Sequence, residues 1–210
     1  MRGCFLIVWL GACGGGSTKD GKPAAVPPSA DEEKAAITRV QSAVKEYGTG
    51  LHNRLAAIEP GANPVAALTS YTTAARTLNA VDKANTGETL GWTSLRLRDP
   101  KNAAPDWVAA WLTSQGQSPE SSAAPVGRID QTPSGPMARV IVPIAEEASC
   151  LACHGAPDSF SPDLKAALAS AWPEDKATGF AVGDLAGAVW GEGPIKVGKV
   201  AGLRVIKPGG

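Results

Sequence analysis

Apolar residues recur at intervals of three and four in the first third of the chain. This spacing predicts an amphipathic helix after Asp31, and a second one that begins with Asn63 as its cap and Pro64 at its first position. Both apolar stripes are expected to face the core. The first contains Ile37, Val40, Val44, Tyr47, Leu51, Leu55 and Ile58, and the second contains Val65, Leu68, Tyr71, Ala75 and Leu78.

The pattern changes to short apolar runs further along the chain. Leu95 and Leu97 alternate with Arg96 and Arg98, which predicts a strand that enters a loop at Pro100. A short helix is expected after this loop, over residues 104–112. Helices followed by strands indicate an α+β fold with a mainly antiparallel sheet. The other predicted strands cover residues 126–129, 138–144, 184–190 and 200–206.

Length and charge limit the organisation and the partners. The chain has 210 residues, of which 43% are hydrophobic, enough for one core, predicted over residues 32–195. A C-terminal strand and tail are expected over residues 196–210. The basic and acidic residues number 20 each, so no overall field attracts nucleic acid, which is not expected as a partner.

The N-terminus resembles a bacterial lipoprotein signal. Arg2 precedes a brief apolar segment, "CFLIVWL", and small residues lead to Cys13. We therefore expect a signal peptide over residues 1–12, a lipidated Cys13 and a flexible linker over residues 13–31. Acyl chains would then hold the protein to the periplasmic side of the inner or outer membrane without a spanning helix. An uncleaved anchor is the alternative.

Two cysteines remain for the folded part, because Cys4 leaves with the signal and Cys13 takes the lipid. Cys150 and Cys153 form the motif C-x-x-C-H with His154. This spacing allows two thioethers to the vinyl groups of one haem c while the adjacent imidazole binds the iron. A zinc site lacks a second such pair, a thioredoxin-like pair needs no histidine after it, and a disulfide would be strained. The motif thus predicts one covalently attached haem, and it agrees with export.

Four separated blocks of the chain carry a family resemblance. They are "TSLRLRDPKNAAPDW", "VIVPIAEEASCLACHG", "WPEDKATGF" and "GDLAGAVW". In this order they resemble the Tll-type haem-binding domain family of bacteria, whose Arg-Asn-Pro-x-Asn block is matched except that Asp99 replaces its first asparagine. The resemblance implies a PAS-like antiparallel sheet with N-terminal helices around one c-type haem, and a role in redox sensing or electron transfer. It also implies that Cys150 and Cys153 carry the thioethers and that His154 is the proximal ligand.

The second axial ligand departs from the family pattern. The second helix of the family often carries a cysteine suited to the iron, and this chain has Tyr71 at that position. Tyr71 could bind as a phenolate. His52 is a good ligand chemically, but it lies one residue off the apolar stripe of its helix. The third alternative is a sixth position that is open or filled by water.

Two further residue types bear on the pocket. Arg98 is a candidate partner for the haem propionates, since guanidinium groups suit carboxylates, whereas Arg96 is better explained as part of an outward-facing charged strand edge. Trp107, with Trp111 and Trp172, is a candidate wall of the pocket, although tryptophans in small domains mostly belong to the core.

These residues predict a membrane-anchored monohaem cytochrome that acts in redox sensing or electron transfer with a separate redox partner protein. The alternative is a haem protein with an open distal site, either a gas sensor or peroxidase-like. Catalysis on peroxide needs a positioned acid or base near the iron, and only His52 could supply it. An enzyme is therefore the less favoured expectation.

Overall fold

A computed structural model of the protein describes residues 27–57, 65–71, 73, 87–116 and 119–197. The predicted signal peptide and the predicted strand over residues 200–206 lie outside the described residues, as do Ile58, Asn63, Pro64, Ala75 and Leu78. In the described ranges, no helix is both long enough and apolar enough to cross a bilayer.

Helix α1 (Ala30–Ala56) carries the first predicted apolar stripe. Ser29 caps its N-terminus by accepting a hydrogen bond from the backbone N–H of Glu32, and the Glu32 side chain accepts from Ser29 in return. This reciprocal pair fixes where the helix begins. The helix runs without interruption past Gly48 and Gly50. Its buried residues are Ala36, Val40, Ala43, Val44, Tyr47 and Leu51.

Four antiparallel strands form one sheet. They are β1 (Thr89–Thr93), β2 (Val126–Thr132), β3 (Gly135–Ala145) and β4 (Leu185–Pro194), in the spatial order β1-β4-β3-β2. The turn between β2 and β3 ends at Gly135, whose φ of 106° favours glycine. The predicted α+β class with an antiparallel sheet is confirmed.

Helices cover both faces of this sheet. Helix α1 packs on the face that presents Val140 and Val189, and α2 (Asp106–Gln115) packs on the opposite face, where Ile141 and Ala188 are buried. The alternation along β3 and β4 follows from the period of two in a strand. The core is therefore two apolar layers, one on each side of the sheet.

The strand predicted at Leu95 and Leu97 is wrong. Strand β1 ends at Thr93, and residues 94–99 form no strand. Leu95 is half exposed. Arg96 and Arg98 donate to the backbone carbonyls of Thr178 and Ala177 instead of lying along a sheet edge. An alternating pattern alone does not distinguish a strand from a loop whose charged side chains are bound elsewhere in the fold.

The connection from β3 to β4 carries the C-x-x-C-H motif. It contains the single helical turn α3 (Leu151–His154) and the helix α4 (Pro162–Ala171). Ser161 caps α4 by accepting a hydrogen bond from the backbone N–H of Leu164. Cys153 packs against α4 in a third apolar cluster, which also includes Leu68 from the helical residues 65–71.

Candidate functional site

The two thiols of the motif lie on one turn of helix. The backbone N–H groups of Cys153 and His154 both donate to the carbonyl of Cys150, at 3.1 and 3.0 Å. Residues three apart on a helix share a face, so this turn presents both cysteines together. Both are free thiols, with Cys153 buried and Cys150 half-buried.

The imidazole of His154 has a fixed orientation. Its Nδ1 lies 2.8 Å from the carbonyl oxygen of Ala177, and a carbonyl can only accept, so Nδ1 carries the hydrogen. Burial, followed by the nearby Arg98 charge, lowers the pKa of His154 to about 4. The ring is therefore neutral at pH 7, with its lone pair on Nε2. This is the form in which histidine binds a metal, and the bond at Nδ1 is the usual way a protein fixes it.

Residues 175–180 have no regular secondary structure and run beside the motif. We call this segment the strap. The backbone N–H of Gly179 donates to the carbonyl of Gly155 at 2.8 Å, and that of Phe180 donates to the carbonyl of His154 at 3.0 Å. Gly179 has a φ of 77°, in the left-handed region that favours glycine. Because Ala177 also belongs to the strap, this segment holds His154 both by its backbone and by its side chain.

Arg98 ties the strap to the motif. Its Nε donates to the Asp175 carboxylate at 2.9 Å, and its terminal nitrogen donates to the carbonyls of Ala177 and Cys153. The side chains of Arg98 and Asp175 are only 13% and 10% exposed. Arg98 thus lies at the motif, as the sequence predicted, but these nitrogens bind protein groups. A bond to haem propionates stays a prediction.

The environment of the two cysteines disfavours thiolate chemistry. Burial is the main cause that raises the pKa of both Cys150 and Cys153 above the ordinary value. Reactive or zinc-binding cysteines need the opposite shift. Among the residues that the structure describes, no three histidine, cysteine or acidic side chains converge as a metal site would require. Two free thiols at this spacing before a histidine are the groups that can form thioethers with haem vinyls.

Tyr71 lies near the motif, where the second axial ligand was predicted. It is half-buried at the end of the helical residues 65–71. Burial raises the pKa of its hydroxyl above 10.0, and Cys150 and Cys153 raise it further when they are ionised, while the Arg98 charge opposes them. The group is therefore a phenol at neutral pH, and an iron would have to displace its proton in order to bind the oxygen.

His52 lies at the surface near the start of the motif. Its Nδ1 is 3.5 Å from a carboxylate oxygen of Glu147, and the two side chains are 56% and 52% exposed. The prediction that His52 lies off the apolar stripe of α1 agrees with this exposure. As an axial ligand, His52 stays an alternative.

Trp107 is not brought to the motif. It lies in the apolar cluster beneath α2, where its ring packs edge-on against Trp190 at 5.9 Å and under the Arg139 guanidinium at 4.9 Å. Trp172 packs instead against the cluster that contains Cys153, with the Arg98 guanidinium 5.7 Å from its ring. Of these two candidates for a pocket wall, the structure therefore favours Trp172, because the helix carrying Trp107 covers another part of the sheet.

Sequence analysis missed Glu146. The residue is 5% exposed, and burial raises the pKa of its carboxyl to about 7, although the Arg98 charge lowers it. A signal for it exists in the sequence. Val140, Val142 and Ile144 point inward at alternate positions of β3, and Glu146 is the next position in that series.

The residues present fit a c-type haem. Two neutral thiols share one helical turn, and the adjacent imidazole has its Nδ1 bound to a carbonyl and its Nε2 available. An antiparallel sheet under a long N-terminal helix carries this motif in the connection before its last described strand. Fold and donor set together define an α+β domain with a candidate haem site.

Comparison with known proteins gives the family. The model of the Tll0287-like family matches residues 25–191, and the chain therefore belongs to this family. It also resembles a solved structure, the cyanobacterial heme-protein Tll0287, with a TM-score of 0.56 and 19% sequence identity. That match covers 82% of this chain and 99% of the other, and at this identity it shows the fold alone. No curated protein matches the chain.

Proposed function

We propose that this protein is a monohaem c-type cytochrome that acts in electron transfer or redox sensing at the outer side of a bacterial membrane. The observation that carries the proposal is the bond between Nδ1 of His154 and the carbonyl of Ala177, beside two free thiols on the same helical turn. The relationship to a heme-protein supports it.

Each residue of the site has a distinct role in this proposal. Cys150 and Cys153 would hold the haem through thioethers to its two vinyl groups, and His154 would bind the iron through Nε2. A bound haem supplies one-electron chemistry at its iron. Arg98 and the strap hold the imidazole in place, because they bond to the backbone on both sides of it.

Electron transfer or sensing is favoured over peroxide chemistry by the groups near the motif. A peroxidase needs an acid or base positioned at the distal side of the iron. His52 is more than half exposed and lies beside Glu147, and Tyr71 is a phenol with a raised pKa. Neither is arranged as a proton-transferring group beside a reacting ligand.

Covalent haem attachment is the first test. Residues 14–210, fused to an export signal, are expressed with and without the machinery that matures c-type haem. Haem that stays with the polypeptide on a denaturing gel, only with the machinery, supports the proposal. Replacing both Cys150 and Cys153 by serine should abolish this signal, whereas a Ser159→Ala change in the following loop should retain it. A wild-type protein without covalent haem would refute the proposal.

Absorption spectra then identify the axial ligands. His154→Ala should remove the proximal ligand and shift the ferric and ferrous bands. Low-spin spectra in both states would support a second protein ligand, and Tyr71→Phe and His52→Ala would show which residue it is. High-spin spectra that respond to carbon monoxide or cyanide would favour the alternative, a ligand-binding haem protein with an open distal site.

A further inference from the structure

A buried carboxylate lies close to the motif and has no role in the proposed function. Glu146 follows the last residue of β3 and precedes Cys150 by four positions. It is 5% exposed, and within the described part of the chain no group donates a hydrogen bond to its Oε1. A buried, unpaired carboxylate oxygen is costly, so its retention needs an explanation.

The backbone holds Glu146 in this position independently of its side chain. Its N–H donates to the carbonyl of Asp184 at 2.9 Å, and its carbonyl accepts from the N–H of Gly183 at 2.9 Å. These two bonds join the end of β3 to the turn before β4. The backbone at Glu146 is therefore fixed by the fold, and its side chain is buried from that position.

Charged groups of both signs surround Glu146. Arg96 and Arg98, from the segment after β1, favour its ionised form, whereas Asp184 and the neighbouring Glu147 disfavour it. Burial is the largest cause, and it raises the pKa of Glu146 to about 7. The carboxyl thus stands near the midpoint of its titration at neutral pH, where a small change in local charge changes its protonation.

Glu146 also interacts electrostatically with the site itself. Burial is the main cause of the raised pKa values of Cys150 and Tyr71, and the Glu146 charge raises both of them further. A change of one unit charge at this site would therefore shift the pKa of Glu146, since interactions between partly buried charges are only weakly screened.

We propose that Glu146 takes up one proton from solvent when the haem site gains one electron, so that the redox state of this protein is linked to pH. This inference rests on the proposed function. An external one-electron donor, such as a reduced quinone or flavin, is oxidised as ferric iron is reduced to ferrous iron. The added negative charge disfavours the Glu146 carboxylate, which becomes a neutral carboxyl by binding one proton.

The experiment measures the midpoint potential of the purified haem-loaded protein between pH 5 and pH 9. The potential of the wild type should fall as pH rises through neutrality, approaching one proton per electron, or about 59 mV for each tenfold fall in proton concentration. Glu146→Gln should flatten this slope. Glu147→Gln is the matched control, because that side chain is 52% exposed and the variant keeps the Glu146 carboxyl in place. The Glu147 charge is the last of the causes that raise the pKa of Glu146, so the slope should persist in this variant and move to lower pH.

Infrared difference spectra of the wild type give a second readout that does not depend on a variant folding. Reduction near pH 7 should produce a band of a protonated carboxyl group. A flat potential in the wild type, a slope that persists in Glu146→Gln, or no carboxyl band would each overturn the proposal. In those cases covalent haem is present, and only the linkage between its redox state and the protonation of Glu146 is refuted. Absence of covalent haem would instead refute the proposed function.

Discussion

The Arg98 guanidinium bonds to groups from both the strap and the motif, so its removal should disturb the site directly. Arg98→Ala leaves the buried Asp175 carboxylate without its cation, which typically costs about 3 kcal/mol in the free energy of unfolding. Arg128→Ala is the control. Arg128 bonds to Asp130 at 2.8 Å but is 42% exposed, and such surface pairs contribute less than about 1 kcal/mol.

Urea unfolding of the haem-free protein measures this difference at pH 7. The midpoint should fall clearly for Arg98→Ala and only slightly for Arg128→Ala. Equal losses would contradict the assignment of Arg98 as the residue that joins strap and motif. Arg98→Lys should recover little, because an ammonium group cannot reproduce the fork of bonds to a carboxylate and two carbonyls.

Glu146 should also make the stability of the haem-free protein depend on pH. Its pKa is raised from 4.5 to about 7 in the folded state, so the folded protein binds the proton more tightly than the unfolded chain. The stability from this group is complete below pH 4.5 and is lost as pH rises through 7. The free energy of unfolding falls by as much as about 3 kcal/mol over this pH range. Glu146→Gln should remove this pH dependence.

His154 titrates in the opposite sense, and the measurement has to separate the two groups. Its pKa is lowered from 6.5 to about 4, so stability rises with pH between these values as the unfolded chain releases its proton. Urea unfolding at pH 5 and pH 8 should therefore be compared between Glu146→Gln and the wild type, since His154 contributes equally to both. A constant difference between the two proteins at both pH values would show that Glu146 is not shifted.

The sequence reveals individual site residues unevenly. Cys150, Cys153 and His154 are adjacent along the chain, so a local motif is sufficient to find them. Glu146 needs the inward alternation of β3 to be extended past the end of the strand. Trp107 could not be placed, because the choice between core and pocket depends on which face of the sheet its helix covers.

At the scale of elements, the packing of α1 on β4 depends on glycine. A Cβ at Gly191 would lie 2.6 Å from Cγ2 of Val44 and 2.7 Å from Cδ2 of Leu90. Gly191→Ala therefore makes the side chains of Val44 and Leu90 shift, and overpacking of this kind costs about 2 kcal/mol. Thermal or urea unfolding should show this loss.

Gly48→Ala is the matched change on the helix side of the same interface. A Cβ there would meet Val189 at 3.4 Å, an ordinary contact, and alanine favours a helix over glycine by about 1 kcal/mol. We expect Gly48→Ala to be neutral or stabilising. If both alanine variants lose the same stability, the close approach of α1 to β4 is not what Gly191 provides.

The predictability of the elements follows from how regular they are. The stripe of α1 follows from periodicity, and strands β2, β3 and β4 follow from short apolar runs. The structure confirms all of them. Strand β1 was expected too late in the chain, because Leu95 and Leu97 alternate with arginines that in fact bind the strap. The strap itself is irregular, so its role at His154 has no periodic signal.

At the scale of the whole molecule, the fold has been retained while most of the sequence has changed. The similar structure shares 19% of its residues with this chain, with a TM-score of 0.56. Alternating apolar positions tolerate many substitutions, since the core needs volume and pattern more than identity. Bonds between backbone groups also tolerate substitution, and two of those that hold His154 are of this kind.

The membrane anchor is the remaining whole-molecule prediction, and it concerns residues outside the described part of the chain. If Cys13 carries lipid, cells expressing the protein with its own N-terminus should incorporate labelled fatty acid into it, and acyl chains should keep it in the membrane fraction. Cys13→Ser should abolish the label and leave Met1 to Ala12 attached, which mass spectrometry detects. Cys4→Ser should behave as the wild type, because residue 4 belongs to the predicted signal peptide. Label that persists in Cys13→Ser would show that the protein is anchored in another way.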